Sequence, residues 1–223
     1  MAGKLGAFGV ARTGTISGDV TSEVGSAGAI ALGDVSGTVS GGLHASVAAL
    51  GSVSGPVTAT AGDVGVLAGG SVSGDVSAGR SAGVMCRQNF TGTVSAGLDG
   101  GVITLASQIG TVSAGRDAGV WFAESASGAV TANRHASVVG FGAVTAPVTA
   151  TNGSGAVITW GSVDNAINAG ENALVAAGDG GSMTLDAGND AAVFSYGTTV
   201  AFITAGRDGL AWSAGMLSGS LHA

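Results

Sequence analysis

Apolar and small residues recur along this chain with a period of 18 or 19 residues. The string GTVSAGRDAGV, residues 110–120, defines the repeat, and positions are numbered below as offsets from its first glycine. A fixed period of this length is typical of repeat architectures. Residues 1–17 fit as an irregular first unit, in which Lys4 stands where later units have alanine, and residues 219–223 begin a further unit. The regular units begin at Gly18, Gly37, Gly55, Gly74, Gly92, Gly110, Gly128, Ala146, Asn165, Met183, Ala201 and Gly219.

Several columns of the repeat carry side chains that suit a narrow interior. Offset 2 is aliphatic from Val20 to Ile203, and offset 4 is alanine from Ala59 to Ala205. Offset 8 is mostly alanine or glycine, and offset 16 is mostly apolar. Offset 10 is valine in most units, namely Val10, Val47, Val66, Val84, Val102, Val120, Val138, Val157, Val175 and Val193.

These columns form pairs at offsets 2 and 4, 8 and 10, and 14 and 16. A spacing of two places alternate residues on one side of a β-strand. Each unit therefore predicts one coil with three short strands, stacked on copies of itself. We predict an all-β, single-stranded parallel β-solenoid, or β-helix, of about twelve coils of 18–19 residues, forming one domain over residues 1–223. A helix is disfavoured because the 3.6-residue period is missing and each interior glycine costs about 1 kcal/mol relative to alanine.

Strings of the type Gly-x-Asp occupy offsets 5 to 7, as in 97–99, 115–117, 188–190 and 206–208. Glycine adopts a positive φ at low cost, so we predict a tight corner at each string. The recurring aspartates, and the string GDGGSMTLDAGND at 178–190, raise calcium binding as an alternative.

Calcium needs six to eight oxygen ligands, whereas each coil offers about one aspartate at this corner. Neighbouring arginines such as Arg80, Arg116 and Arg207 would also repel a cation. We therefore expect each aspartate to cap its own turn and to pair with arginine, and we predict no metal site.

Composition narrows the function classes. The chain has 223 residues with 43 glycines, 2 prolines, 9% charged residues and a net charge of −7. Its mean hydropathy of +0.50 excludes a disordered linker, and its negative charge argues against a nucleic-acid partner. No apolar stretch reaches the roughly 18 residues that a bilayer span requires, so we expect no membrane insertion. The single Cys86 cannot form an internal disulfide, and we expect it to be a small buried apolar residue.

The strings VSAGRD at 112–117 and ITAGRD at 203–208, within coils of 18–19 residues, carry a family resemblance. They resemble the repeats of filamentous haemagglutinin-type adhesins and other bacterial surface β-helix proteins, and the resemblance covers nearly the whole chain. It implies a right-handed β-helix, secretion and adhesion. We therefore favour a right-handed over a left-handed coil, and a fragment of a longer extracellular or cell-surface protein. A cytoplasmic location is the alternative, because residues 1–14 lack the apolar region of a signal peptide.

Offset 11 should face outward because it follows the inward valine, yet none of its residues is polar. Soluble monomers rarely expose an apolar patch larger than a few hundred Å². We predict a lateral docking surface for a second copy or for neighbouring repeats; the alternative is that the strand bends and buries both offsets 10 and 11. The predicted docking stripe comprises Ile30, Leu67, Met85, Ile103, Trp121, Val139, Ile158, Phe194 and Trp212 of this column, with Phe141, Trp160 and Tyr196 of offset 13.

Polar residues are too dispersed for catalysis. His44, His135 and His222 lie several coils apart, and offset 3 is a column of threonine and serine that solvates a sheet. We predict no enzyme, no catalytic residue and no cofactor. The predicted function is a non-catalytic structural or adhesive rod that forms homo-oligomers through its apolar face. The alternatives are a scaffold that stacks end to end into filaments through its coil ends, and a calcium- or ice-binding solenoid.

Overall fold

The computed structural model of the chain describes residues 2–3 and 6–223, so Lys4 lies outside the described residues. The described residues form strands, bridges and turns, and no helix occurs among them. Within this part of the chain there is accordingly no helix long and apolar enough to cross a membrane. The strands pair in parallel, and the prediction of an all-β parallel β-solenoid of about twelve turns is confirmed. The right-handed turn stays a prediction.

The chain divides into two compact units, Met1–Gly115 (unit one) and Arg116–Ala223 (unit two). In each unit one run of strands, near offsets 1–4, forms sheet A, and a second run, near offsets 8–12, forms sheet B. In unit one, sheet A contains Ala2–Gly3, Val20–Ser22, Val39–Gly41, Val57–Ala59, Val76–Ala78, Thr93–Ala96 and Thr111–Ala114, and sheet B contains Gly6–Ala11, Ser26–Ala31, Ala45–Ala49, Val64–Ala68, Ala82–Cys86 and Gly100–Thr104. In unit two, sheet A contains Val130–Ala132, Val148–Ala150, Asn165–Ala169, Gly181–Ala187, Thr199–Ala205 and Leu217–His222, and sheet B contains Asp117–Phe122, His135–Gly140, Gly155–Thr159, Ala173–Ala177, Ala191–Ser195 and Gly209–Ser213.

Equivalent residues of successive coils pair with one another, so each column of the repeat becomes a column of the structure. Val66 pairs with Val84 and Val84 with Val102 in unit one, and Val120 pairs with Val138 in unit two. These valines are buried, as are the aliphatic residues of offset 2 and the alanines of offset 4. The interior is therefore the narrow valine and alanine core that the repeat predicts.

The first coil departs from the predicted alignment. Val10 pairs with Ile30 and is exposed, whereas Gly9 takes the buried place opposite Ala29, so the assignment of Val10 to the inward column is wrong. Ala11, predicted to face outward, pairs with the buried Ala31. The reason is the length of the corner after sheet B: Val10 precedes Ile16 by six residues, whereas its partner Ile30 precedes Val35, the bridge partner of Ile16, by only five.

The third side of the coil, side C, is less regular than the three-strand pattern indicates. In unit one it holds one inward residue per coil, joined by isolated bridges such as Val53 to Val72. Unit two adds one short pair, Ser125–Ala126 with Ala143–Val144. Offset 14 is often glycine, which supplies no second inward side chain and therefore no second residue of the predicted pair.

Corner glycines serve a different purpose from the predicted one. Among the described residues a positive φ occurs only at Gly14, Gly180, Gly181 and Gly219, so the prediction of positive φ at offset 5 is wrong. At Gly97 an added Cβ would lie 2.2 Å from the carbonyl oxygen of Gly79, one coil earlier. Glycine is required there because successive backbones approach too closely to admit a side chain.

Large core residues also depend on glycine in the next coil. The ring of Phe122 is fully buried and fills the space in which a Cβ on Gly140, its partner in the next strand, would lie 2.5 Å from it. At Gly110 the nearest atom is instead the carbonyl oxygen of Gly92, 1.9 Å from an added Cβ, so the corner backbone already requires glycine there. The Phe122 ring is thus accommodated by a matched loss of side-chain volume in the next coil.

Alanine substitutions at two glycines test whether glycine is required at the corner because the neighbouring backbone is close, or for its conformational freedom. Gly97→Ala should lower the free energy of unfolding by about 1–3 kcal/mol, because its methyl group would collide with the neighbouring backbone. Gly83→Ala, on the outer face of sheet B with open space around it, should leave stability unchanged or raise it by about 0.4–1 kcal/mol. Urea unfolding of both variants measures this, and equal effects would contradict the close-approach explanation.

Candidate functional site

The outer face of sheet B in unit one is apolar. Residues of offset 11 lie side by side in adjacent strands: Ile30, Ala48, Leu67, Met85 and Ile103. We call this column the apolar ridge. Its four large members are 42–52% exposed, which excludes the alternative that offsets 10 and 11 are both buried. Leu32, Leu50 and Leu105 of offset 13 are exposed at the adjacent corner and widen the apolar surface.

A row of minimal side chains runs beside the ridge on the same face. It consists of Gly28, Ser46, Gly65, Gly83 and Gly101 at offset 9, and we call it the glycine row. Around Gly65 and Gly83 there is open space where a Cβ would stand. At Gly28 the ring of Phe8, from the preceding strand, already occupies that space. The glycine row is therefore a shallow groove that accepts an apolar side chain.

In unit two the same face carries aromatic side chains. The outward column is Trp121, Val139, Ile158, Ala176, Phe194 and Trp212. Trp121 is half-buried and meets Phe141 edge to face, with ring centroids 6.0 Å apart, and Tyr196 meets Trp212 in the same way at 5.8 Å. Such pairs stabilise beyond the area they bury. The exposed rings on this face are thus partly fixed by one another.

Two of these aromatic residues flank a cleft. Trp160 and Tyr196 are about 70% exposed and stand two coils apart, with Gly178 between them in the intervening coil. In the adjacent column Ala176 lies between Ile158 and Phe194. The cleft has a volume of about 360 Å³, near the lower end of the range of roughly 300–1,000 Å³ for small-molecule sites. We call it the aromatic cleft.

Polar side chains form a ladder at the corner between sheets A and B. The backbone N–H of Asp63 donates to His44 Nδ1 at 3.0 Å, and the N–H of Ser81 donates to Asp63 Oδ1 at 3.1 Å. In unit two the N–H of Asp190 donates to Asn172 Oδ1 at 3.3 Å. Of the aspartates predicted to cap their own turns, Asp117 and Asp190 likewise accept from the backbone N–H groups of His135 and Asp208, one coil later.

Two aspartates of this corner pair with arginines one coil later. Arg134 Nε donates to Asp117 Oδ1 at 2.9 Å and Arg207 Nε donates to Asp190 Oδ1 at 2.9 Å, with a second bond from each guanidinium to the other carboxylate oxygen. These hydrogen bonds lower the pKa of both carboxyl groups. The predicted pairing of aspartate with arginine is therefore observed.

No group of three or more histidine, cysteine or carboxylate side chains able to hold a metal occurs in the described residues. Cys86 is buried as predicted, and burial raises the pKa of its thiol. The thiol donates to the carbonyl of Gln88 at 3.2 Å. The predictions that the chain has no catalytic site, no cofactor and no metal site stay predictions.

The hydroxyl column of offset 3 lies on the outer face of sheet A. In unit one Thr21, Ser40 and Thr58 pair in succession and are half-buried. The neighbouring outward column at offset 1 includes Pro56 and Asp75, which interrupt any flat threonine array of the kind that ice binding requires.

Each aromatic residue of the cleft is among the predicted docking residues, whereas the cleft itself was not predicted. The cleft could have been predicted by comparing the offset-11 and offset-13 columns across neighbouring units. Ala176 and Gly178 are small at offsets 11 and 13 of one coil, while Trp160 and Tyr196 are large in the coils on either side. A side-by-side alignment of the units therefore contains the information.

Neither family models nor the curated proteins and solved structures gave a match to this chain.

The carboxyl groups at the corner give a test by titration. Since the folded pKa of Asp117 lies below its ordinary value of about 3.9, its pairing with Arg134 stabilises the fold above that pH and is lost as pH falls through the folded pKa. Arg134→Met should raise the pKa of Asp117 toward about 3.9 and leave Asp190 unchanged. Arg207→Met should do the reverse. Carboxyl carbon NMR shifts measure both, and a variant that moves both groups or neither would contradict the pairing.

Proposed function

We propose that this chain is a non-catalytic structural module that packs side by side with a second copy through the outer face of sheet B in unit one. The observation that carries the proposal is the uncharged, exposed apolar ridge beside the glycine row. Water-exposed apolar surface of this extent favours association because its burial releases hydration water.

The area fits a weak, reversible dimer. Six coils at about 4.8 Å and strands of five residues at about 3.3 Å give a face of roughly 29 by 16 Å. Two such faces cover on the order of 950 Å², close to the lower limit of about 1,000 Å² for specific interfaces. Leu32, Leu50 and Leu105 at the corner add further apolar area.

The two columns also favour one arrangement of the copies. Ridge and glycine row lie two residues apart, or about 6.6 Å. A two-fold axis parallel to the direction of stacking places the ridge of each copy over the glycine row of the other, coil against equivalent coil. A two-fold axis along the strands would oppose ridge to ridge and leave the rows empty. Phe8 over Gly28 is an intramolecular example of the favoured contact.

The wider role follows from the motif resemblance. The strings at 112–117 and 203–208 support a place among repetitive bacterial surface proteins, in which stacked coils form a rod and lateral packing holds neighbouring rods together. On this view adhesion is a property of the assembled surface, and the chain needs no catalytic group.

Charge placed on the ridge tests the association. Leu67→Asp should weaken the dimer at least about tenfold, because the residue two positions on is Gly69 and the buried carboxylate has no partner on its own strand. Ser77→Asp, exposed on sheet A one strand later, is the matched control and should leave association unchanged. Sedimentation equilibrium at increasing protein concentration measures both. A wild type that stays monomeric throughout, or equal effects of the two variants, would contradict the proposal.

Cysteine pairs test the arrangement. A mixture of the variants Gly65→Cys and Leu67→Cys should give a mixed disulfide under mild oxidation, since the two positions face each other across the proposed axis. Leu67→Cys alone should cross-link poorly. The reverse result would indicate ridge-to-ridge packing.

A further inference from the structure

Unit two carries the aromatic cleft, which the proposed packing of unit one does not use. Its floor is Ala176 and Gly178, and Trp160 and Tyr196 line its two sides. Phe194 and Trp212 also line it, and Trp212 meets the Tyr196 ring edge to face. Four aromatic rings therefore border one small apolar space.

We propose that the aromatic cleft binds the trimethylammonium group of a small choline-type compound. Quaternary ammonium groups are recognised by the faces of several aromatic rings, within about 6 Å of each ring centroid. The attraction is electrostatic and needs no hydrogen bond, because such a cation has no donor hydrogen on its nitrogen.

The coil spacing fits this group. Trp160 and Tyr196 stand two coils apart, which at about 4.8 Å per coil separates their backbones by roughly 9.6 Å. Both side chains line the cleft, so a group that fills the gap above the intervening coil lies against both of them. Small residues at 176 and 178 keep the intervening coil from filling the space.

Charge favours a cation over a neutral or anionic ligand. Unit two has three arginines and eight acidic residues, and it has no lysine. Arg134 and Arg207 are engaged with Asp117 and Asp190 at the opposite end of the sheet B strands. Asp179 follows Gly178 directly and is exposed, so a carboxylate stands at the same corner as the cleft.

Hydrogen-bonding capacity disfavours a sugar. The hydroxyl of Thr159 donates to the carbonyl of Gly142, and the hydroxyl of Ser195 is bonded to Thr199. Both side chains are buried beneath the cleft. These two hydroxyl groups are therefore already engaged, whereas a trimethylammonium group needs no hydrogen-bond partner.

Titration of the full chain with choline chloride at constant ionic strength tests the proposal, with tryptophan fluorescence and calorimetry as readouts. The neutral isostere 3,3-dimethylbutan-1-ol is the matched control ligand, because it replaces the charged nitrogen by carbon. We expect saturable choline binding with a dissociation constant on the order of 1 mM, and binding of the isostere at least about tenfold weaker.

Variants locate the site. Trp160→Leu should weaken choline binding about tenfold, and Ala176→Phe, which fills the floor from an outward position, should abolish it. Trp121→Leu removes another ring of the same face outside the cleft and should have no effect. Circular dichroism checks that each variant folds, and Tyr196→Leu replaces any that does not. Equal binding of choline and its isostere, no saturation by choline, or unchanged binding in Trp160→Leu would overturn the proposal. Sedimentation equilibrium of the choline-saturated protein measures association through unit one separately. Failure of choline binding and failure of association can therefore be distinguished.

Discussion

The close approach of successive backbones at the corners is the constraint on which this structure depends. Where the corner residue is glycine, the backbone of the preceding coil occupies the place that a side chain would take. At Gly97 and Gly188 a single methyl group would meet a carbonyl oxygen of the preceding coil at 2.2 and 2.1 Å. Glycine at these corners therefore permits the rung-to-rung hydrogen bonds of both sheets. The bonds in turn fix the register, because a shift by one residue would bring a side chain into the corner.

Because the register is fixed, the residues at one position of the repeat form a column in the structure. Within most columns the side chains are chemically similar. Inward columns hold valine and alanine, and the corner between the sheets holds side chains that accept hydrogen bonds from the next coil's backbone. The outer face of sheet B is apolar, and that of sheet A is rich in hydroxyl groups. Function in such a protein arises from how columns vary along the stack. In unit one the variation is slight and leaves a ridge beside a groove, whereas in unit two large and small residues alternate and leave a cleft.

The period predicts the solenoid because each inward column contributes the same small residue at the same spacing, as at Val84 and Val102. The outward position of Met85 and Ile103 follows from the same alternation. Three features could not be predicted from one unit at a time. The extra residue between Val10 and Ile16 places Val10 on the outside, and only the paired strands reveal it. The role of glycine depends on the neighbouring backbone, and the aromatic cleft depends on residues in three coils.

In this solenoid, equivalent residues of successive coils lie directly above one another. Methyl-to-methyl nuclear Overhauser contacts among Val66, Val84 and Val102 measure this arrangement. We expect strong contacts of Val84 with both of the other valines, and none of the Val84 methyls with Met85, whose side chain points to the opposite face of the same strand. Contacts of Val84 with the outward Leu67 or Ile103, or no contact between the valines, would contradict it.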